Sequence, residues 1–288
     1  MKSCFKFLTL TLLICLIIFF SSYKKTVNHY NDIELNGSGC LILCYHRVLP
    51  KDYSTKLFYK IVTKYTDDNE LNIYSVLGED FENQIKFLKD NGANFLTPDE
   101  LKFYISNKIT IPEKSVIITF DDVDESVYKN AFPILQKNKI PFTLFIITGR
   151  VGDKNFKGLR LCDWDMIKEM YQSNLVTVGT HTHNMHYLDK KNNPPFIKTE
   201  NVNLFVEDTI RSQETINNYL GFSPKYFSYP YGFGIPETDE KILKVGFELI
   251  FTLNPGIVKS DDPSFCIKRV LVNKYTWSDI EKWVLNRK

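Results

Sequence analysis

Short apolar runs alternate with amphipathic segments along most of this chain. Each run is rich in Val, Ile and Phe and too short for a helix, which predicts a strand buried on both faces, as in parallel sheets. The segments between the runs space their apolar residues three and four apart, the period of an amphipathic helix. The predicted strands lie at residues 41–45, 94–96, 115–120, 142–147, 176–179, 226–228, 248–251 and 269–272.

Residues that favour helix starts precede several of the amphipathic segments. Thr97-Pro98-Asp99-Glu100 combines an N-cap, a proline at the first helical position and a capping-box acid. Asp163 can cap another helix. Pro236 can open a third. Further helices are predicted at residues 80–91, from about 133, at 205–219 and at 277–284.

The alternation of about eight strands with helices predicts an α/β fold. We expect a distorted (β/α) barrel with seven or eight parallel strands, with an open doubly wound sheet as the alternative. No glycine-rich phosphate loop follows any predicted strand, which argues against nucleotide chemistry. Residues 47–77 show no clear periodicity, and we predict a long irregular loop, either functional or disordered.

The first residues have the layout of a targeting segment. Lys2 and Lys6 precede an apolar run at residues 7–20, and two serines follow it. This pattern predicts a signal peptide or an uncleaved membrane anchor at residues 1–30, a linker at 31–39 and one domain at 40–288. We therefore expect a secreted protein, at the cell surface or on the outer face of the cytoplasmic membrane.

Charge and cysteine content exclude two classes of function. Without Lys2 and Lys6 the chain carries equal numbers of basic and acidic residues, so no nucleic-acid partner is expected. The remaining cysteines have no C-x-x-C spacing, which argues against a cysteine zinc site, although a disulfide from Cys162 or Cys266 to one of the others stays open. These cysteines are Cys40, Cys44, Cys162 and Cys266.

Acids and histidines follow three of the predicted strands. They are His46 after the first strand, Asp121 and Asp122 after the third, and His181, His183 and His186 after the fifth. The carboxyl ends of parallel strands collect catalytic groups, and clustered imidazoles indicate zinc or a neighbouring metal. Two histidines and one carboxylate leave a position open for water, and the second acid can then take a proton from that water. The residues alone do not decide which acid has which role.

Several motifs, in order along residues 40–272, resemble those of one enzyme family. They are Cys44-Tyr-His-Arg-Val, Thr119-Phe-Asp-Asp-Val-Asp-Glu, Phe145-Ile-Ile-Thr-Gly, Thr180-His-Thr-His-Asn-Met-His and Ser228-Tyr-Pro-Tyr-Gly. Together they resemble the polysaccharide deacetylases of carbohydrate esterase family 4, the NodB homology domain. Within that family the likeness is to the IcaB- and PgaB-type enzymes, whose NodB-type fold is circularly permuted.

The resemblance implies a role for each matching residue. It implies Asp121 as general base, His46 as general acid, and Asp122, His181 and His186 as ligands of a divalent metal, Zn²⁺ in many relatives with Co²⁺ or Ni²⁺ as alternatives. It also implies Tyr229, Pro230 and Tyr231 as substrate-binding residues, with the backbone N–H of Tyr231 in the oxyanion hole. His183 matches no ligand position.

Two departures limit the resemblance. The Asp-x-x-Asp-Trp motif is absent from its usual place, and Trp164-Asp165 and Trp277 are only loose candidates for it. Ser228 stands where many relatives have an arginine that pairs with the catalytic acid, so we expect weak support for Asp121 and low activity.

The function implied is removal of N-acetyl groups from poly-β-1,6-N-acetyl-D-glucosamine, with release of acetate, in biofilm maturation. The alternatives are a deacetylase of peptidoglycan or chitin-like oligomers and a catalytically silent polysaccharide-binding protein. We expect a monomer associated with the envelope or membrane surface, in which residues 47–77 stack against sugar rings or touch that surface.

Overall fold

A curled, parallel sheet organises residues 33–65 and 69–286, the part of the chain that the computed structural model describes. The strands are β1 (Cys40–Tyr45), β2 (Arg47–Leu49), β3 (Ser75–Leu77), β4 (Asn94–Phe95), β5 (Ser115–Asp122), β6 (Phe142–Ile146), β7 (Val176–Thr180), β8 (Tyr226–Ser228), β9 (Leu249–Phe251) and β10 (Val270–Leu271). Their order in the sheet is β10-β1-β5-β6-β7-β8-β9, and β4 pairs with β5. The predicted NodB-type (β/α) barrel architecture is confirmed.

Helices connect the strands and cover the outside of the sheet. They are α1 (Tyr53–Tyr65), α2 (Asn69–Tyr74), α3 (Gly78–Asp90), α4 (Pro98–Asn107), α5 (Phe132–Asn138), α6 (Trp164–Gln172), α7 (Val202–Leu220), α8 (Pro236–Lys244) and α9 (Trp277–Val284). The predicted starts are confirmed at three of them: Thr97 and Glu100 form a capping box before α4, Asp163 accepts the N–H of Met166 in α6, and α8 begins at Pro236.

The prediction of an irregular loop at residues 47–77 is wrong. In the part described, these residues form β2, α1, α2 and β3. β2 and β3 are three residues each. They pair with one another in parallel, with Arg47 opposite Ser75 and Leu49 opposite Leu77. Such short runs carry no periodic signal, and no local pattern shows a pairing across this distance. The helix α1 did carry a signal, since Leu57, Phe58 and Ile61 recur at spacings of three and four.

The core lies on both faces of the sheet. In β1, Leu41 and Leu43 belong to the larger apolar cluster, whereas Cys40 and Ile42 belong to a second cluster on the opposite face. Alternate residues of a strand point to opposite faces, so this division confirms a strand buried on both sides. Gly179 in β7 is required by packing, because a Cβ there would lie 2.6 Å from the Phe145 ring.

The termini and the cysteines add two findings. Cys40, Cys44, Cys162 and Cys266 are all free. Within the described residues, no helix combines the length and the apolar character needed to span a bilayer. The predicted signal or anchor at residues 1–30 lies outside the described residues, so this assignment stays a prediction.

Candidate active site

The carboxyl ends of neighbouring strands meet around a cavity of about 270 Å³. Its lining includes six of the residues singled out by sequence, which are His46, Asp121, Asp122, His181, His186 and Tyr231. Tyr229 and Pro230 do not line it. Their side chains are buried, and the Tyr229 hydroxyl lies 2.7 Å from both Thr238 Oγ1 and Asp239 Oδ1. Of the three predicted substrate-binding residues, only Tyr231 faces the cavity.

Backbone conformation brings both acids of β5 to the same cavity. In a regular strand, adjacent side chains point to opposite faces. Here Asp122 and Val123 have φ angles of 64° and 65°, in the left-handed region that residues other than glycine rarely adopt. Each such conformation costs on the order of 1–3 kcal/mol and is retained mainly at functional sites. The turn therefore breaks the alternation and gives Asp121 and Asp122 access to the same cavity.

The side chains of Asp122, His181 and His186 have the separations expected of metal ligands. Asp122 Oδ1 lies 3.6 Å from His181 Nε2 and 3.2 Å from His186 Nε2. Tetrahedral zinc with ligands at its usual bond lengths separates them by roughly 3.3 Å. Asp122 Oδ1 is buried and accepts no hydrogen bond, which is costly unless a cation fills the space. The three residues therefore fit a divalent metal.

The protonation of His181 is also suitable for a metal ligand. His181 Nδ1 lies 2.7 Å from the carbonyl oxygen of Ser228, which can only accept, so Nδ1 carries the proton and Nε2 presents its lone pair. Burial lowers the pKa of His181 to about 4, and the imidazole is neutral at pH 7, as metal binding requires. Burial raises the pKa of Asp122, but the imidazoles of His186 and His46 outweigh it and keep that pKa below its usual range.

Arg269 supports Asp121, a role that is not predicted from the sequence. Its Nη1 and Nη2 donate to the two carboxylate oxygens of Asp121, each at 2.7 Å. Ser228 Oγ donates to the same carboxylate at 3.2 Å and accepts from Arg269 at 2.7 Å. The expectation that Asp121 lacks its arginine is therefore wrong, because the guanidinium comes from the residue before β10. The signal was a charged residue at the edge of a predicted buried strand, where charges are rare unless paired.

This ion pair sets the charge of Asp121. Burial raises the pKa of the carboxyl group, but Arg269 and His181 hold it down to about 2. Asp121 is therefore ionised at neutral pH and able to accept a proton, as a general base must.

His46 and Tyr231 face Asp121 and Asp122 in the cavity. The His46 ring lies 4.8 Å from the Tyr74 ring, and burial lowers its pKa although Asp122 and Asp121 oppose that shift. Tyr231 has a φ of 61°, and its ring centroid lies 5.0 Å from that of His186. Their predicted roles, general acid and oxyanion donor, stay predictions that this placement allows.

The loop between His181 and His186 is held by residues on other elements. Asp208 of α7 accepts the backbone N–H groups of His183 at 2.6 Å and Asn184 at 2.8 Å. On the other side, the Gly149 N–H donates to the carbonyl oxygen of His183 at 2.9 Å. His183 itself does not line the cavity, and its Nδ1 lies 2.9 Å from Thr148 Oγ1. The interpretation of His183 as a residue other than a ligand is consistent with this position.

Three side chains that could hold a metal, an ionised carboxylate and a histidine lie together at the carboxyl ends of parallel strands. This is the set of groups that metal-assisted hydrolysis requires. Residues 108–250 match the family model described as polysaccharide deacetylase. A poly-β-1,6-N-acetyl-D-glucosamine N-deacetylase of Staphylococcus aureus is 35% identical over 252 residues, which cover 87% of this chain and 85% of the relative. The protein of the same name from Staphylococcus epidermidis is 32% identical over 277 residues, covering 93% and 94%.

A solved structure extends the likeness to three dimensions. The structure of IcaB from Ammonifex degensii superimposes with a TM-score of 0.77 at 40% identity, covering 88% of this chain and 99% of that one. The chain belongs to the polysaccharide deacetylase family. Its activity is the removal of acetyl groups from a polysaccharide.

The variant Arg269→Lys tests the support of Asp121. Lysine keeps the charge but cannot donate to both carboxylate oxygens at once. We expect kcat to fall about 10- to 100-fold. The pKa of Asp121 should rise, because burial raises this pKa and the lysine opposes that effect less than the arginine does. A base that protonates at a higher pH stops working at a higher pH, so the acid limb of kcat/KM should move upwards. The pH profile measures this shift.

Ser228→Ala is the matched control for this prediction. It removes the hydroxyl that donates to Asp121 and accepts from Arg269, but it leaves both hydrogen bonds from Arg269 to Asp121 in place. It should move the acid limb less than Arg269→Lys does. An unchanged acid limb in a folded Arg269→Lys protein would show that Arg269 does not set the ionisation of Asp121.

The variant Asp208→Asn tests whether α7 positions the metal ligands. An asparagine side chain has one acceptor oxygen where the two N–H groups need two, so the loop that carries His186 should loosen. We expect the affinity of the metal-free protein for Zn²⁺ to fall about 10- to 100-fold, as measured by calorimetric titration. Glu207→Gln, a neighbouring and exposed change on α7, is the control. Equal affinity in both variants would contradict this role of Asp208.

Proposed function

We propose that this enzyme removes N-acetyl groups from poly-β-1,6-N-acetyl-D-glucosamine at the cell surface and releases acetate. The observation that carries the proposal is the single cavity that joins an ionised Asp121, the His46 imidazole and the triad of Asp122, His181 and His186. The substrate is chosen because two staphylococcal relatives of nearly the same length carry the name of that deacetylase.

The chain's own residues divide the chemistry of amide hydrolysis. Asp121 takes a proton from the attacking water, whose oxygen forms a bond to the acetyl carbon. His46 gives a proton to the sugar nitrogen as the C–N bond breaks, so acetate and an amine leave. The backbone N–H of Tyr231 stabilises the oxyanion between these steps. When bound, the metal supplies Lewis acidity to the carbonyl group and lowers the pKa of water.

Zinc is the metal that we propose for this site. Two imidazole nitrogens and one carboxylate oxygen, with a side left open, are the usual donor set of catalytic zinc, and Co²⁺ and Ni²⁺ accept similar donors. Since one chain provides every group of the site, we also propose that the enzyme acts as a monomer.

The product explains a role in biofilm formation. Each turnover converts a neutral acetamide into an amine that is an ammonium group at and below about pH 7. A polymer with scattered positive charges adheres to anionic surfaces. We infer that the enzyme matures such an exopolysaccharide outside the cell.

Acetate release tests the substrate. The full-length enzyme with Zn²⁺ should release acetate from β-1,6-linked N-acetylglucosamine oligomers at least about tenfold faster than from β-1,4-linked ones, because pocket shape acts on transition-state binding. Asp121→Asn and His46→Ala should lose turnover by about 100-fold or more and keep the metal. His181→Ala should lose the metal. Activity on β-1,4 oligomers alone would replace the proposal by a peptidoglycan or chitin-like substrate, and binding without acetate release by a polysaccharide-binding function.

We further propose that α1 docks the enzyme on the membrane surface. Four of its apolar side chains, spaced as on one helix face, are between 45% and 79% exposed: Tyr53, Leu57, Phe58 and Ile61. Lys60 lies on the same helix and can contact anionic headgroups, whereas Lys56 pairs with Glu79. Exposed apolar stripes flanked by basic residues are typical of helices that lie in a membrane interface.

The triple variant Leu57→Ser, Phe58→Ser and Ile61→Ser tests the docking surface. Without these three apolar side chains in the membrane interface, the partition coefficient of the full-length protein onto vesicles of anionic phospholipid should fall by at least about tenfold. Co-sedimentation measures this partition. Phe103→Ser removes an equally exposed ring from α4 and should leave it unchanged. Equal partition of the triple variant and the control would refute docking through α1.

A further inference from the structure

A second cavity, of about 410 Å³, lies between α3 and α9. Asp80, Asn83 and Phe87 of α3 line it, and their spacings of three and four place them on one face of the helix. Trp277 and Glu281 of α9 line it from the other side. We call this cavity the α3–α9 groove. The groups assigned to catalysis line the other cavity, so the groove is a separate feature of the surface.

Two aromatic rings meet in the groove. The Phe87 and Trp277 rings lie edge to face, with their centroids 5.9 Å apart. The indole Nε1 of Trp277 donates to Glu281 Oε1 at 2.8 Å, which fixes the orientation of the ring. Both aromatic residues are only partly buried. A pyranose ring has an apolar C–H face and hydroxyl groups at its edge, so it can pack on such a ring while its hydroxyls reach polar groups beside it.

β3 and α1 form the floor of the groove. Ser75 of β3 lines it, and the buried Ser75 hydroxyl has no hydrogen-bond partner among the described residues. The Tyr59 hydroxyl of α1 donates to the carbonyl oxygen of Ser75 at 3.5 Å, which ties the floor to that helix. An unpaired buried hydroxyl is unfavourable. A ligand that brings its own hydroxyl group to this floor supplies the missing partner.

The groove and the catalytic cavity are neighbours. Tyr74 lines the catalytic cavity, and the next residue, Ser75, lines the groove. Arg47, which also lines the catalytic cavity, lies opposite Ser75 in the pairing of β2 with β3. The catalytic cavity, of about 270 Å³, is smaller than the roughly 300–1,000 Å³ of ordinary small-molecule sites, so most of a polysaccharide chain lies outside it. The groove is placed to take another part of the same chain.

The polar groups of the groove suit a neutral sugar. The carboxylates of Asp80 and Glu281 accept hydrogen bonds, and the amide of Asn83 both donates and accepts them. Lys274 adds a charge of the opposite sign to the same lining. A mixture of both signs does not favour a strongly charged ligand, whereas the hydroxyl and acetamide groups of an acetylated amino sugar can use donors and acceptors alike.

We propose that the α3–α9 groove is a second sugar-binding site, which holds one N-acetylhexosamine unit of the polymer while another unit occupies the catalytic cavity. The inference rests on the proposed function, because that function supplies a polymer long enough to reach both cavities. A contact far from the reacting amide is the same in the ground state and in the transition state. It therefore lowers KM and leaves kcat unchanged, so that longer chains bind more tightly.

The length of the substrate tests the second site. kcat and KM for acetate release are measured with the full-length zinc enzyme on a disaccharide and on a long oligomer of β-1,6-linked N-acetylglucosamine, with concentrations counted per acetyl group. Wild type should show a kcat/KM about 5- to 30-fold higher on the long oligomer, mostly through KM, the gain expected from one or two hydrogen bonds and a ring contact. Asn83→Trp fills the groove from an exposed position and should reduce this ratio to about one.

Two further variants separate binding from a general effect of the substitution. Lys86→Trp adds the same side chain to α3 at an exposed position outside the groove and should keep the wild-type ratio. Trp277→Leu removes a ring without adding bulk and should lower the ratio. A wild-type ratio that persists in both Asn83→Trp and Trp277→Leu would overturn this inference, as would a ratio of about one in an active wild type. Inactivity of wild type on both substrates would instead overturn the proposed function.

Discussion

The buried pair of Asp121 and Arg269 is the interaction on which the site depends. Both side chains are almost fully removed from water, where an unpaired carboxylate would take up a proton. The two hydrogen bonds between them keep Asp121 ionised and fix the plane of its carboxylate. Breaking such a pair costs about 3–5 kcal/mol, because the partner is left as an uncompensated buried charge. Stability and catalysis therefore rely on the same contact.

Two adjacent acids, Asp121 and Asp122, have different surroundings. Asp121 ends the regular part of β5 and faces a guanidinium. One residue later the φ angle of 64° turns Asp122 towards two imidazoles. The strained backbone persists because two hydrogen bonds hold it, from the Val123 N–H to the Asp121 carbonyl oxygen and from the Cys162 N–H to the Val123 carbonyl oxygen. In a regular strand, one of these two side chains would point to the opposite face of the sheet.

Much of the site was predictable, and the reasons are local. The strand at residues 115–120, the two acids that follow it and the histidines after the fifth predicted strand can each be recognised within a few residues of sequence. The missed parts, Arg269 and Asp208, act over sequence separations of 148 and about 25 residues. Nothing near Ser228 in the sequence indicates that the guanidinium expected at this position is supplied instead by Arg269, at the edge of β10. The pairing of β2 with β3 was missed for the same reason, since both strands are short and distant in sequence.

The sheet order explains how residues from both ends of the domain reach one site. β1 lies between β10 and β5, with Leu43 opposite both Val270 and Ile118. His46, which follows β1, and Arg269, which precedes β10, thus lie beside Asp121 although they come from opposite ends of the domain. β1 and β10, the first and last of the described strands along the chain, are neighbours in the sheet, so the order of the strands along the chain can change there without changing the site. A circularly permuted member of the family keeps its chemistry for this reason, because strand neighbours, and not the order of the motifs in sequence, position the catalytic groups.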